Sequence, residues 1–233
     1  MSGFGTHRLW QAGDHYWPWP DFVQDVDPAI LRVPTRSVLD MPIRLAGGPL
    51  LVPDDLRHLM PIIETAVRME RFYSDYNEHN IFITVDTRPV LPGRTQRRPG
   101  AHLDEYLPNP SALDTVAHTY LVSNCLPTEF LPIHVTIDRT LNCEQLLESF
   151  DRQAETVSSI TYPPCSLLRL SPFVLHRAAV NATDETIERT FVKLVFTKKM
   201  HCREGNTDNP LIERAWPLLP RNPATRNHPF ETM

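Results

Sequence analysis

Proline sets the tightest limit on what this chain can fold into. Twenty-three of its 233 residues are Pro, spread from Pro18 to Pro229, about twice the ordinary usage of about 5%. A ring that fixes φ and removes a backbone donor interrupts helices and central strands alike. This argues against a helical bundle and for short segments joined by rigid turns. Short β-type runs fill the space between turns: IFITVDT (81–87), AHLDEYL (101–107), TVAHTYLVSN (115–124), EFLPIHVTI (129–137), SLLRLSPFVLHRAA (166–179) and ERTFVKLVFTKK (188–199). Many short strands with turn punctuation predict a mainly β sandwich or barrel with flanking helices.

Two stretches carry helical spacing. In 52–73, Leu56, Leu59, Met60, Ile63 and Val67 form one stripe, with Asp54 or Asp55 placed to cap the start. Pro61 either kinks this helix or marks where it begins. In 142–155, Leu146, Leu147 and Phe150 share a side. Residues 1–52 read as an irregular covering layer of loop and short strands in which Trp10, Trp17 and Trp19 serve as packing anchors. The expected organisation is one domain: a covering segment 1–52, a supporting helix 53–74, a β core 80–200 and a polar, Pro-rich tail 201–233 that docks through Leu211, Ile212 and Trp216.

The formal charge of −5 weighs against a protein that chiefly grips a nucleic-acid backbone. Cys125, Cys143, Cys165 and Cys202 form no CxxC pair, which disfavours a structural zinc site. The opening MSGFGTHRLW has no apolar run, and no window is apolar enough for a membrane span. The expectation is a soluble, cytoplasmic protein with free thiols, no membrane contact and a small-molecule substrate.

The chemistry-bearing stretch is RRPGAHLDEY (97–106). His102 and Asp104, two apart on an extended segment, point to one side while Leu103 points away. With ten His and 28 acidic residues in the chain, one such spacing is a chance expectation, so the pair needs company. His176 stands in the apolar run SPFVLHRAAV, where a buried imidazole requires partners: a metal, or a backbone carbonyl. Arg189, 13 residues later, shares a face with Phe191 and Lys193. If the chain folds back near 182–183, Arg189 comes level with His176, and an inward guanidinium needs an anion such as a carboxylate. Two His and one Asp leave half of an octahedral iron sphere open, as in the facial triad of non-heme Fe(II) oxygenases.

With these residues the chain resembles the Fe(II)- and 2-oxoglutarate-dependent dioxygenase superfamily. The resemblance rests on His102-Leu103-Asp104, His176 roughly seventy residues on, and Arg189 in RTFVKLVF, and it covers about residues 80–200. It implies a double-stranded β-helix, the jelly-roll barrel also found in cupins. It implies that His102, Asp104 and His176 ligate iron, and that Arg189 holds the distal carboxylate of 2-oxoglutarate. It further implies that O2 oxidises a substrate, with hydroxylation the commonest outcome, as succinate and CO2 are released. Many members carry a hydroxyl two after the arginine; here Phe191 stands there, so Lys193 is a substitute for Arg189, and Tyr120 or Thr128 a source of the hydroxyl. The helix at 142–155 would be an insertion shaping the substrate entrance.

The loop TRPVLPGRTQRRPG (87–100) before the ligands holds Arg88, Arg94, Arg97 and Arg98. Loops beside a binding mouth meet substrate, which makes an anionic substrate one reading and a solvated basic loop the other. Arg98, the nearest to His102, is the substrate-binding candidate. Three further readings compete: a cupin-like metal enzyme without 2-oxoglutarate, a non-catalytic binding module on the same barrel, and a nucleic-acid oxygenase. Glu105 follows Asp104 directly and so faces away, which disfavours the cupin ligand set.

Overall fold

The computed structural model describes residues 18–104, 117–138 and 141–220. Trp10, Trp17 and Glu105 lie outside the described residues. Ten elements follow in order: β1 (Asp21–Asp25), β2 (Val38–Arg44), α1 (Met60–Tyr73), β3 (Asn80–Val90), β4 (His118–Ser123), β5 (Glu129–Phe130), α2 (Cys143–Ala154), β6 (Ser166–Leu170), β7 (His176–Arg177) and β8 (Ile187–Thr197). The chain is mostly antiparallel sheet with few helices. Six strands form one sheet in the order β1-β6-β4-β8-β3-β2, and β5 with β7 forms a second. No closed barrel is formed among the described residues.

β3 and β8 are the longest strands and pair without a break from Asn80–Thr197 to Val90–Ile187. Alternation along β8 sends Val192, Leu194 and Phe196 into the main core, with Ile81, Ile83 and Val85 of β3 and Tyr120 and Val122 of β4. α1 covers this face with Ile62, Ile63, Ala66 and Val67. Pro61 sits in its first turn, where a missing donor costs nothing; a short 3-10 turn over Asp54–Leu59 precedes it. The opposite face carries Leu121, Leu168, Leu170 and Phe191, packed against Phe130 and Val174. Beside it, α2 buries Leu146, Phe150 and Ala154 against Ala101, Leu103, Leu131 and Leu175, and begins with an Asn142–Gln145 capping box.

The short strands expected before residue 52 are both edge strands of the large sheet, β1 beside β6 and β2 beside β3. Other expectations are corrected. The run 166–179 is two strands in two sheets, because Pro172 cannot donate and a turn closes from Val174 N to Ser171 O at 3.3 Å. His176 and Arg189 are therefore not partners in one hairpin: His176 pairs with Phe130, and Arg189 lies opposite Arg88. Of 129–137 only two residues are strand. The tail is fastened by Asn209, 3% exposed, whose Nδ2 donates to the carbonyls of Pro42 and Leu51 at 2.7 and 2.8 Å, whereas Leu211 stays exposed. No helix among the described residues is long and apolar enough to cross a membrane.

Candidate metal centre

The bridge between the 101–104 stretch and β7 of the small sheet brings His102, Asp104 and His176 together. One donor atom from each lies within 4.8 Å of the others, so the three could hold a single metal ion. The stretch 101–104 is not a ladder strand; it is tied to β7 by a two-way bridge, His102 N to His176 O at 2.9 Å and His176 N to His102 O at 3.1 Å. The imidazole centroids stand 4.5 Å apart. Leu103 turns the other way, into the cluster under α2.

Each imidazole is oriented by its own backbone. The Nδ1 of His102 lies 3.1 Å from the Gly100 carbonyl oxygen, and that of His176 lies 2.9 Å from the Val174 carbonyl oxygen. A carbonyl only accepts, so Nδ1 carries the proton and Nε2 offers its lone pair in both rings. That is the tautomer and the outer support which ligating histidines need. Burial, and then the neighbouring His176 charge, push the His102 imidazole down to about 4, which leaves it neutral near pH 7 and able to ligate. Burial alone would raise the Asp104 carboxyl, but Lys193, His176, His102 and Arg97 hold it well below the usual carboxylate range.

Gly100 explains how the loop reaches this point. Its φ of +88° suits glycine, and an added Cβ would lie 3.0 Å from Asp151 Oδ2. Asp151 of α2 accepts the Ala101 backbone N–H at 2.6 Å, so the helix carboxylate fixes the residue before His102. Nothing in the sequence pattern marks Asp151, since it meets the ligand loop only in three dimensions.

A cavity of about 40 Å³ opens at this point, lined by Arg97, His102, Asp104, Leu121, Thr128, His176, Ala178, Arg189, Phe191 and Lys193. It admits an ion with about one water, and a five-carbon diacid requires its walls to part. Lys193 Nζ stands 3.7 Å from Asp104 Oδ2. Arg189 is buried and braced: Nε donates to the Cys125 and Leu126 carbonyls, both at 3.1 Å, and Nη1 donates to Gln96 Oε1. Burial lowers it to about 10. Those bonds use Nε and Nη1, which leaves Nη2 for an acid.

Thr128 belongs to this lining and Tyr120 does not. Tyr120 points through the sheet to the α1 side, where its hydroxyl donates to Glu70 Oε1 at 2.6 Å. Glu70 also accepts from His118 Nδ1 at 2.7 Å and Arg169 Nε at 3.1 Å. Arg98 is exposed, and its neighbour Arg97 takes the place in the cavity wall. Arg97 was legible only as one of four arginines; the turn that selects it is long-range.

No protein-family model matches the chain, and neither does any curated protein. Among solved structures, similar chains include EvdO2 from Micromonospora carbonacea var. aurantiaca (14% identity, TM-score 0.42, covering 68% of this chain and 69% of that one). They include the same protein complexed with 2-oxoglutarate (14%, TM-score 0.41, 73% and 77%). The non-heme alpha ketoglutarate dependent carbocyclase SnoK from nogalamycin biosynthesis is also similar (16%, TM-score 0.30, 51% and 48%). All three fall below the similarity at which a shared fold follows, and the functional reading below stands on the chain's own residues.

Proposed function

We propose that the chain is a non-heme Fe(II)- and 2-oxoglutarate-dependent dioxygenase that oxidises a small molecule, built as one oxygenase domain on a double-stranded β-helix. The observation that carries this is the meeting of one donor atom from each of two imidazoles and one carboxylate within 4.8 Å, with the Nδ1 of each ring held against a backbone carbonyl. The donor set of two imidazoles and one carboxylate suits ferrous iron and leaves coordination positions open.

His102, Asp104 and His176 would hold the ion. When bound, iron would activate O2, the oxidant, with 2-oxoglutarate supplying two of the four electrons as it becomes succinate and CO2 and the substrate supplying the other two. The rest is the work of the chain. Lys193, whose Nζ stands 3.7 Å from Asp104 Oδ2, offers a cation to an acid bound beside the ligand carboxylate. Arg189, braced on three acceptors, presents a fixed edge to a carboxylate. Thr128 is placed to add a hydroxyl contact. Leu121, Phe191 and Ala178 keep the cavity apolar between these groups, which limits water and strengthens each charged contact.

The test is anaerobic addition of Fe(II) and 2-oxoglutarate. A weak visible charge-transfer band is expected, followed by succinate on admitting O2. Metal binding without 2-oxoglutarate binding would point to a cupin-like enzyme. Replacing Arg189 with Ala should raise the dissociation constant for 2-oxoglutarate by about tenfold or more; little change would move the role to Lys193.

A further inference from the structure

Among the described residues, the cavity and its rim are oversupplied with cations. Arg97, Arg189 and Lys193 line it beside a single carboxylate, Asp104. Asp86 sits behind Arg97 at 3.8 Å, but Arg88 already binds the same oxygen at 2.7 Å. Four cations thus face two carboxylates. A divalent ion adds to the excess, and one dicarboxylate cosubstrate removes only part of it.

The loop that carries Arg97 is a built structure and no solvated tether. Gly93 N and Asn181 O meet at 2.8 Å, and Asn181 N donates to Arg94 O at 2.9 Å. Thr95 Oγ1 donates to Arg97 O at 2.6 Å. Gln96, 6% exposed, donates through Nε2 to the Asp86 and Arg189 carbonyls, both at 2.8 Å. Its own carbonyl accepts Arg88 Nη2 at 2.6 Å. Asn181, buried at 0% exposure, anchors the far end by donating to Val90 O at 2.9 Å. The result holds the Arg97 guanidinium 5.4 Å from the Phe191 ring centroid, while Arg189 lies 5.1 Å from the same ring. An aromatic face flanked by two guanidiniums keeps both planar forks in place and apart. The Arg97 side chain remains 34% exposed, so it stands at the rim, whereas Arg189 is buried behind it.

We propose that Arg97 is the substrate-recognition residue of this site and that it receives an oxyanion, a carboxylate, sulfate or phosphate group, carried by the molecule to be oxidised. This rests on the oxygenase reading, in which Arg189 or Lys193 is taken up by 2-oxoglutarate. Gln96 is the positioning residue that fixes the loop. No group transfer is implied, since the oxyanion is bound and left unchanged.

The test uses sodium sulfate as probe, titrated calorimetrically at ionic strength held constant with sodium chloride. In metal-free protein we expect saturable binding. It should be about tenfold weaker in Arg97→Gln, intermediate in Arg97→Lys, and within twofold of the parent in Arg98→Gln. With Mn(II) and saturating 2-oxoglutarate present, sulfate should still bind. The proposal is overturned if the parent binds no sulfate, if Arg97→Gln binds as well as the parent, or if 2-oxoglutarate excludes sulfate. Failure of 2-oxoglutarate to bind with Mn(II) strikes the oxygenase reading alone, because the metal-free titration still reports on Arg97. Near-UV circular dichroism of each variant confirms that the fold is kept.

Discussion

The two faces of the large sheet each hold a carboxylate among cations, and they hold it differently. Towards α1, Glu70 is fully buried and its oxygens accept from Tyr120, His118 and Arg169 at 2.6–3.1 Å. Asp21 takes up the far end of Arg169 at 3.6 Å. Towards β7, the Asp104 side chain keeps 18% of its surface, and Lys193 and His176 stand off at 3.7 and 3.8 Å, beyond hydrogen-bond length. A carboxylate gripped on both oxygens is a fastening between helix and sheet. Among the described residues, no side chain reaches Asp104 within hydrogen-bond length, which suits a carboxylate proposed as a metal ligand. The same residue types thus fasten helix to sheet on one face and form the proposed metal site on the other, and the spacing of the contacts tells them apart.

Substitutions can break this contrast. The largest effect is expected from Asp104→Ala: succinate formation from 2-oxoglutarate should fall at least a hundredfold, about 3 kcal/mol or more, while the circular dichroism spectrum is retained. Unchanged turnover would place the metal elsewhere. Glu70→Gln should do the reverse. Breaking a buried charge pair costs about 3–5 kcal/mol, so urea denaturation should show a loss of that order with Mn(II) affinity kept. Equal losses of metal affinity in both variants would erase the distinction between the faces.

The Glu70 carboxyl also sets a pH dependence. Burial alone would raise it, yet its hydrogen bond and charge contact with His118 and the charge of Arg169 hold it far below its ordinary 4.5. A depressed folded value gives stability that is complete above about 4.5 and lost as pH falls below it. Denaturation midpoints measured from pH 6 to pH 3 should therefore drop more steeply in the parent than in Glu70→Gln. Smaller still is Tyr120→Phe, which removes one bond to Glu70. It should cost about 1–2 kcal/mol and leave 2-oxoglutarate affinity unchanged, since the hydroxyl faces away from the cavity. Gly100→Ala should cost a similar amount through its φ of +88°, but it should weaken metal binding as well, because the same turn carries His102.

What the sequence made legible follows from the range of the physics involved. The two helices, Pro61 at a helix start and the shared face of Arg189, Phe191 and Lys193 are local periodicities, and they were readable. The partner of β7 was not: a turn at Ser171–Pro172 sent His176 to a second sheet, and no local pattern encodes which sheet a strand joins. The rule applied to His176, that an imidazole in an apolar strand needs a partner, applies equally to His118 in TVAHTYLV. There the partner is Glu70, an acidic residue on the buried stripe of α1, and that mismatch in the helical pattern was the signal available. Tyr120 alternates with Leu121 on β4, and strand alternation gives the cavity to Leu121 and the α1 side to Tyr120. Arg97 and Arg98 differ by one position, and only the Gln96 anchor decides between them.

The most direct measurement is Mn(II) binding followed by electron paramagnetic resonance in the parent protein and in His102→Ala, Asp104→Ala and His176→Ala. One equivalent should bind to the parent, and binding should be weakened at least a hundredfold in each variant. Undiminished binding in His176→Ala would contradict this, since β7 and the 101–104 stretch would then share no metal.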